Sequence, residues 1–278
     1  MTITRLAPAK LNLALHVTDR RANGYHDLDS LVVFADFGDQ LAFEGADGLT
    51  LQVDGPLADG VPMDDRNLVL RAAALFGAAK GAAISLTKHL PHAAGIGGGS
   101  SDAAAALTGL AELWGSELPH DEAILALGAD LPVCMAARPA RMRGIGEDLA
   151  EVPRLPQMSV VMVNPGVRVP TGQVFGALSE LQNPPMSPPV WQDFGSFIHW
   201  LAQQRNDLEA AARGIAPEIS DVIDALEAEP DCALARMSGS GATCFGVFDQ
   251  PASAAQAAAR LSADHPNWWV QAAGLLAA

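Results

Sequence analysis

Apolar and polar residues alternate at the start of the chain. Ile3, Arg5 and Ala7, then Leu11, Leu13, Leu15 and Val17, share one face, and Lys10, Asn12 and His16 share the other. A period of two predicts a strand, and Pro8, which has no N–H to give to a ladder, predicts a break in it. Residues 19–24 form a polar turn marked by Asn23-Gly24. Residues 28–37 and 49–53 are apolar enough for buried strands, and 84–88 is a short alternating one. Between them Leu68, Leu70, Ala74 and Leu75 fall at helical spacing within 67–79, with Gly77 near the end.

Glycine and serine then crowd the end of residues 91–101. Ser101-Asp102 opens an alanine-rich run that closes at Leu113-Trp114-Gly115. Serine and aspartate suit a helix's first turn and glycine its exit. Residues 121–127 predict a further short helix ended by Gly128. Arg, Gly and Pro gather over 138–156, and the domain boundary is placed at the end of that stretch, giving domains 1–156 and 157–278. Residues 159–163 are a β-branched run typical of a buried strand. The proline-rich 182–190 predicts a surface loop. Asn206-Asp207 caps one helix and Pro217 starts another that runs to 228. Strands at 234–237 and 243–248 flank Gly239-Ser240-Gly241, and Pro251 opens a helix reaching 261. Strands and helices mix without a regular βαβ alternation, so the expected class is α+β.

Composition narrows the function classes. With 278 residues and 49% hydrophobic content the chain can bury a core without staples. Seventeen Lys and Arg against 32 Asp and Glu leave a net charge of −15. That argues against gripping a nucleic-acid backbone, though not against a small anion held by local cations and N–H groups. Cys134, Cys232 and Cys244 form no CxxC pair and read as free, packed thiols, as suits a reducing cytoplasm. Arg5 and Lys10 interrupt the apolar pattern of the first residues, which argues against a secretory leader. No uncharged stretch of membrane-spanning length occurs.

The strongest local signal is Pro91-His92-Ala93-Ala94-Gly95-Ile96-Gly97-Gly98-Gly99-Ser100-Ser101. A strand precedes it and a helix follows. Consecutive glycines let backbone N–H groups converge, and a helix N-terminus adds donors and partial positive charge. No Lys follows the glycines, so this is not a Walker A loop, and Ser100 stands where a dinucleotide fingerprint needs its third glycine. Lys10 is either a solvated strand residue or a cation aimed at a phosphate or carboxylate. Asp130, in an apolar stretch, either caps a turn or helix or accepts a proton from an alcohol. Tyr25-His26 is either a packed loop or a platform for a planar base. His92 either touches phosphate or faces solvent.

Together these segments resemble the GHMP kinase superfamily. The glycine loop is similar to its central phosphate-binding motif, and Met237-Ser238-Gly239-Ser240-Gly241-Ala242 to its C-terminal glycine motif. Within it, Pro8-Ala9-Lys10-Leu11-Asn12-Leu13, Arg20 through His26, Gly128 through Val133, and Asn164-Pro165-Gly166 with Pro170-Thr171 look like the 4-diphosphocytidyl-2-C-methyl-D-erythritol kinase family. Asn23, Ile96 and Ser238 depart from the usual aspartate, leucine and threonine.

The resemblance implies a two-domain fold, N-terminally like ribosomal protein S5 domain 2 and C-terminally ferredoxin-like, with the active site between them. It implies ATP-dependent phosphorylation of the 2-hydroxyl of the cytidyl diphosphate sugar alcohol, with Mg²⁺ arriving on the nucleotide. Lys10 and Asp130 match the catalytic pair. Lys88 and residues 91–101 match the ATP site. Asn12 and Thr171 match the methylerythritol end, and Tyr25, His26 and Phe175 the cytosine site, the two rings sandwiching the base. A cytoplasmic monomer or homodimer acting on a small molecule, without nucleic acid or membrane, is expected. The competing readings are a homoserine or mevalonate kinase, whose substrates carry no base to stack, and a silent nucleotide-binding module.

Overall fold

The computed structural model describes residues 2–77 and 80–277. Ala78 and Ala79, the end of the helix expected over 67–79, lie outside the described residues. In chain order the first half holds β1 (Ile3–Arg20), β2 (His26–Gly45), β3 (Leu49–Asp54), α1 (Leu68–Ala74), β4 (Ala82–Thr87), α2 (Gly98–Trp114), α3 (Asp121–Leu127) and α4 (Leu131–Ala136). The second half holds β5 (Ala140–Gly144), β6 (Asp148–Ala150), β7 (Ser159–Asn164), α5 (Thr171–Gly176), α6 (Phe194–Ala202), α7 (Glu209–Ile215), α8 (Glu218–Glu227), β8 (Leu234–Met237), β9 (Cys244–Phe248), α9 (Pro251–Asp264) and β10 (Trp269–Gly274).

These elements group into two compact units, each discontinuous in sequence. The first takes the chain up to Lys10, Phe37–His92 and Gly97–Ala137; the second takes Leu11–Asp36, Ala93–Ile96 and the chain from Arg138 onward. In the first, β4 runs antiparallel to the end of β2 (Gln40 opposite Thr87) and parallel to β3. Helices α1 to α4 complete it, with α1 and α4 packed on α2. This is the S5-like part of the expected fold. Asn67 caps α1 by accepting the Val69 N–H at 2.9 Å.

The break expected at Pro8 does not occur: β1 is continuous. β1 pairs with β2, and its Leu15 bridges to Asn206 farther along the strand, so at Pro8 a residue without an N–H costs it little. Opposite, Gly38 has no side chain to obstruct the approach; a Cβ there would fall 2.0 Å from the Ala7 carbonyl oxygen.

In the second unit, β5 pairs with the start of β2 and with β6. A separate antiparallel sheet has the order β10-β7-β9-β8, a ferredoxin-like arrangement. Helices α8 and α9 pack on it, and Val161, Val163, Ile219, Val222, Phe248 and Leu261 form part of its core. The α+β expectation is met. The loop at 182–190 lacks regular structure, as expected, but it is not merely superficial. Met186 is buried, its N–H donates to Asp29 Oδ2 at 2.8 Å and its carbonyl accepts from Arg141 at 2.9 Å. Asp29 and Arg141 are themselves joined by two hydrogen bonds, a bidentate pair that ties the loop to β2 and β5. All three cysteines are free.

Candidate active site

In the first unit the Lys10 side chain is buried, 4% exposed, so the solvated-edge reading of its face falls. Its Nζ lies 3.0 Å from Asp130 Oδ2. Asp130 occupies the position before α4, with Pro132 in the first turn, but its side chain caps nothing. The carboxylate is turned to Lys10 and remains partly open to solvent. Gly97 holds the other side of the lysine stem: a Cβ there would stand 3.0 Å from Lys10 Cβ. The Gly128 turn that leads to Asp130 adjoins Ser100, whose Oγ is 3.8 Å from a Cβ built on Gly128.

The glycine loop differs from expectation in one respect. Helix α2 starts at Gly98, not at Ser101, so Gly98, Gly99, Ser100 and Ser101 form its first turn. The left-handed positions are Gly95 (φ +75), Gly97 (φ +65) and Ala93 (φ +47). The first helical bond runs from Ser101 N–H to the Gly97 carbonyl at 2.8 Å, which leaves the N–H groups of residues 98–100 ahead of the ladder. Those donors and the helix dipole are what an anion would meet. Several side chains of the motif turn elsewhere. Ala94 and Ile96 are core residues. The His92 ring contacts the Leu57 carbonyl at 2.9 Å. Ser101 Oγ lies 3.5 Å from Cys134 Sγ, and burial followed by the charge of Asp130 pushes that thiol up to about 12, which keeps it protonated and inert. Lys88 is buried, its ammonium held by Asp39 and, at 2.8 Å, by Asp102.

In the second unit two glycine motifs interlock backbone to backbone. The Ser238 hydroxyl donates to the Gly95 carbonyl at 3.0 Å and accepts the Asn12 N–H at 3.1 Å. The Thr243 N–H donates to the Ala94 carbonyl at 3.1 Å. A Cβ on Gly95 would fall 2.3 Å from the Ser238 carbonyl oxygen. The Asn12 amide donates to Ser30 Oγ at 2.7 Å, and Thr171 Oγ1 lies 2.8 Å from Ser240 Oγ.

The ring that stacks on Phe175 is His26, with centroids 4.7 Å apart and planes 23° from parallel. Tyr25 stands 57% exposed. The His26 Nε2 is buried without a hydrogen-bond partner, and burial, then the Arg20 charge, lower the imidazole's pKa. A neutral imidazole with an unpaired buried nitrogen is equipped to meet the polar edge of a planar ligand. Among the described residues no cluster of three His, Cys, Asp or Glu side chains could cage a metal ion. Mg²⁺ bound to polyphosphate needs no such cage, since the phosphates supply most of its oxygens.

Two family matches cover parts of the chain, "GHMP kinases N terminal domain" at residues 67–139 and "GHMP kinases C terminal" at 177–267. A relative from Jannaschia sp. (strain CCS1), named 4-diphosphocytidyl-2-C-methyl-D-erythritol kinase, is 54% identical over 277 residues, 100% of this chain and 99% of the relative. One of the same name from Dinoroseobacter shibae (strain DSM 16493 / NCIMB 14021 / DFL 12) is 56% identical over 96% of this chain and 93% of its own. A crystal structure of 4-(cytidine 5'-diphospho)-2C-methyl-D-erythritol kinase superposes with a TM-score of 0.78 at 34% identity, covering 99% of this chain and 100% of that one. This chain belongs to the 4-diphosphocytidyl-2-C-methyl-D-erythritol kinase family.

Membership in that family of GHMP kinases makes the chain a small-molecule phosphotransferase. A homoserine kinase from Cytophaga hutchinsonii ATCC 33406 shares the fold, with a TM-score of 0.67 at 15% identity. Against this background, sequence reasoning missed Asp39, Asp102 and Ser238 as parts of the site's support. Ser238 lies in a motif already singled out, and a hydroxyl just ahead of Gly239 was a readable signal. Asp39 and Asp102 gave none, because their partner Lys88 is distant in sequence.

Proposed function

We propose that this chain transfers the γ-phosphoryl group of ATP to the 2-hydroxyl of 4-diphosphocytidyl-2-C-methyl-D-erythritol, a step toward isoprenoid precursors outside the mevalonate route. The observation that carries the chemistry is the ion pair of buried Lys10 with Asp130, beside the N-terminal turn of α2. The acceptor is a tertiary alcohol, a weak nucleophile. Asp130 takes its proton as the oxygen–phosphorus bond forms and the bond to ADP breaks. Lys10 orients the carboxylate and offers positive charge to the transferring group. A loose transition state leaves most of the acceleration to positioning and charge, which the N–H groups of residues 98–100 and the α2 dipole supply. Mg²⁺ on the nucleotide neutralises phosphate charge.

Within this reading the second unit recognises the substrate. His26 meets the edge of the cytosine and Phe175 and Tyr25 offer it ring faces, while Asn12 and Thr171 serve the methylerythritol end. The His26–Phe175 stack and the unpaired His26 Nε2 favour a base-bearing acceptor over homoserine or mevalonate. In the same reading the sequence domains run 1–156 and 157–278, and the enzyme works in the cytoplasm as a monomer or homodimer. The two family matches fall on either side of that domain cut.

A coupled ADP-release assay tests the reading with four acceptors: the cytidyl compound, 2-C-methyl-D-erythritol 4-phosphate, homoserine and mevalonate. The expected result is efficient turnover of the first alone. Comparable kcat/KM for homoserine or mevalonate would defeat it.

A further inference from the structure

Behind the first turn of α2 lie three ionisable side chains that the proposed reaction does not use. Asp39 of β2, Lys88 just after β4, and Asp102 of α2 are all buried. Asp39 is fully engaged. Its Oδ1 accepts the N–H groups of His89 at 2.5 Å and Leu90 at 2.9 Å, and its Oδ2 accepts from the Lys88 ammonium. Lys88 also donates to Asp102 Oδ2 at 2.8 Å. Asp102 Oδ1 is buried and has no hydrogen-bond partner. Two carboxylates therefore share one ammonium, and ionisation of both would leave a net negative charge in the interior. The Asp39 carboxylate is close to the turn itself, 3.9 Å from where a Cβ on Gly98 would sit. A buried, unpartnered carboxylate oxygen is costly, and a second carboxylate beside it favours the acid form.

We infer that Asp102 is a positioning residue that the folded protein holds as the neutral acid, so that Asp39, Lys88 and Asp102 together place no net charge behind the turn that receives the ATP phosphates. The inference rests on that turn being the nucleotide site. The other groups that bear on the set agree with it. From α4 comes Cys134, an inert thiol that feels both Asp102 and Asp130, with Lys10 paired to Asp130 beyond it. From α1 comes only the exposed Arg71. Burial holds the Asp102 carboxyl up at about 7, opposed by Lys88 and reinforced by the charge of Asp39. Below that pH the set is neutral. Above it Asp102 ionises, and negative charge stands behind the phosphate-binding donors.

ADP binding by calorimetry from pH 6 to 8.5, on the wild type and on Asp102→Asn, tests the consequence. ADP's own titration is common to both proteins and cancels. The wild type should lose at least about threefold more affinity across that range than the variant, as expected for one added charge near the phosphates. Infrared spectra supply a second readout. A carbonyl band of a protonated carboxyl should be present at pH 6, fade by pH 8.5, and be missing in Asp102→Asn. Asp39→Asn keeps an oxygen for the two N–H groups, removes the competing charge, and should abolish the band as well. Parallel affinity profiles, or no titrating carboxyl band, would overturn the inference. No ADP binding to the wild type at any pH would strike the nucleotide reading instead, and the band would still decide the state of Asp102.

Discussion

Gly97 and Gly115 bracket α2, and the pair separates backbone strain from damage to the site. Both are left-handed, at φ +65 and φ +57. Alanine at either position must hold that conformation, at about 1–2 kcal/mol. At Gly115 an added Cβ meets nothing within 4 Å, so strain is the whole effect. At Gly97 it would stand 3.0 Å from Lys10 Cβ and 3.1 Å from Lys10 Cε, closer than ordinary contact, and the lysine stem has to give by a few tenths of an ångström. That stem carries the ammonium 3.0 Å from Asp130. Misplacing a catalytic group by about 1 Å costs up to about 10²-fold, so a shift of this size should cost about tenfold in kcat. In a chain of this length each kcal/mol moves Tm by about 2–4 °C, so both variants should melt roughly 2–8 °C low. Thermal melts and the ADP-release assay on Gly97→Ala and Gly115→Ala make the comparison. Similar melting points with kcat lost only in Gly97→Ala are expected. Wild-type kcat in Gly97→Ala, or an equal loss in Gly115→Ala, would refute the claim that Gly97 sets the lysine.

Three further predictions concern other parts of the molecule. Asp130→Asn should lower kcat by about 10²–10⁴-fold at wild-type fold content by circular dichroism, and near-normal turnover would remove it as the base. Phe175→Ala should cost about 1–3 kcal/mol in kcat/KM for the cytidyl acceptor, by analogy with base stacking, and leave 2-C-methyl-D-erythritol 4-phosphate unaffected. Equal losses for both acceptors would assign the ring to packing alone. The His16 Nε2 accepts the Arg205 N–H at 3.2 Å, so its Nδ1 carries the proton and faces the Pro184 carbonyl at 3.1 Å. Burial, then the Arg205 charge, lower its pKa. Below the ordinary imidazole value of about 6.5 the unfolded chain therefore binds more protons than the folded one. Stability held above that pH is lost as pH falls through the lowered value. His16→Gln should flatten Tm between pH 7.5 and 5, and parallel slopes would show that His16 contributes nothing to acid lability.

Much of the framework was legible because it rests on local pattern. Asn67, Gly115, Gly128 and Pro251 sit where short-range chemistry starts and stops helices, and α1, α2, α3 and α9 follow them. The errors came where a polar residue finds a distant partner. Alternation placed Lys10, Asn12 and His16 on one face of β1, but period two does not tell solvent from protein, and all three are buried. The apolar run that predicts β2 stops at Phe37, whereas the strand continues through Asp39, whose carboxylate is met by Lys88 and two N–H groups. Strand β5 was hidden by its arginines, of which Arg141 pairs with Asp29 and Arg143 with Asp148. Helix α6 was readable and overlooked. Asp193 and Ser196 form a capping box, and Phe197, Trp200 and Leu201 follow at helical spacing.

An acidic chain that binds a polyphosphate has to manage charge locally, because its net −15 favours release. Carboxylates farther away than about 8 Å are largely screened at physiological salt, so the ones that matter are those around the head of α2. Asp130 is matched there by Lys10, and Asp39 by Lys88 and two backbone N–H groups. Asp102, neutral in the inference above, would add nothing. What remains is the positive end of α2, about half an elementary charge, with the N–H groups of residues 98–100 free to converge on phosphate oxygens. The glycines are required for the same reason. A phosphate can reach donors of that kind only if the backbone is bare and the loop turns through left-handed positions, which Gly95 and Gly97 allow. In the proposed reading recognition comes from backbone donors and paired charges, and it needs no surplus of basic side chains.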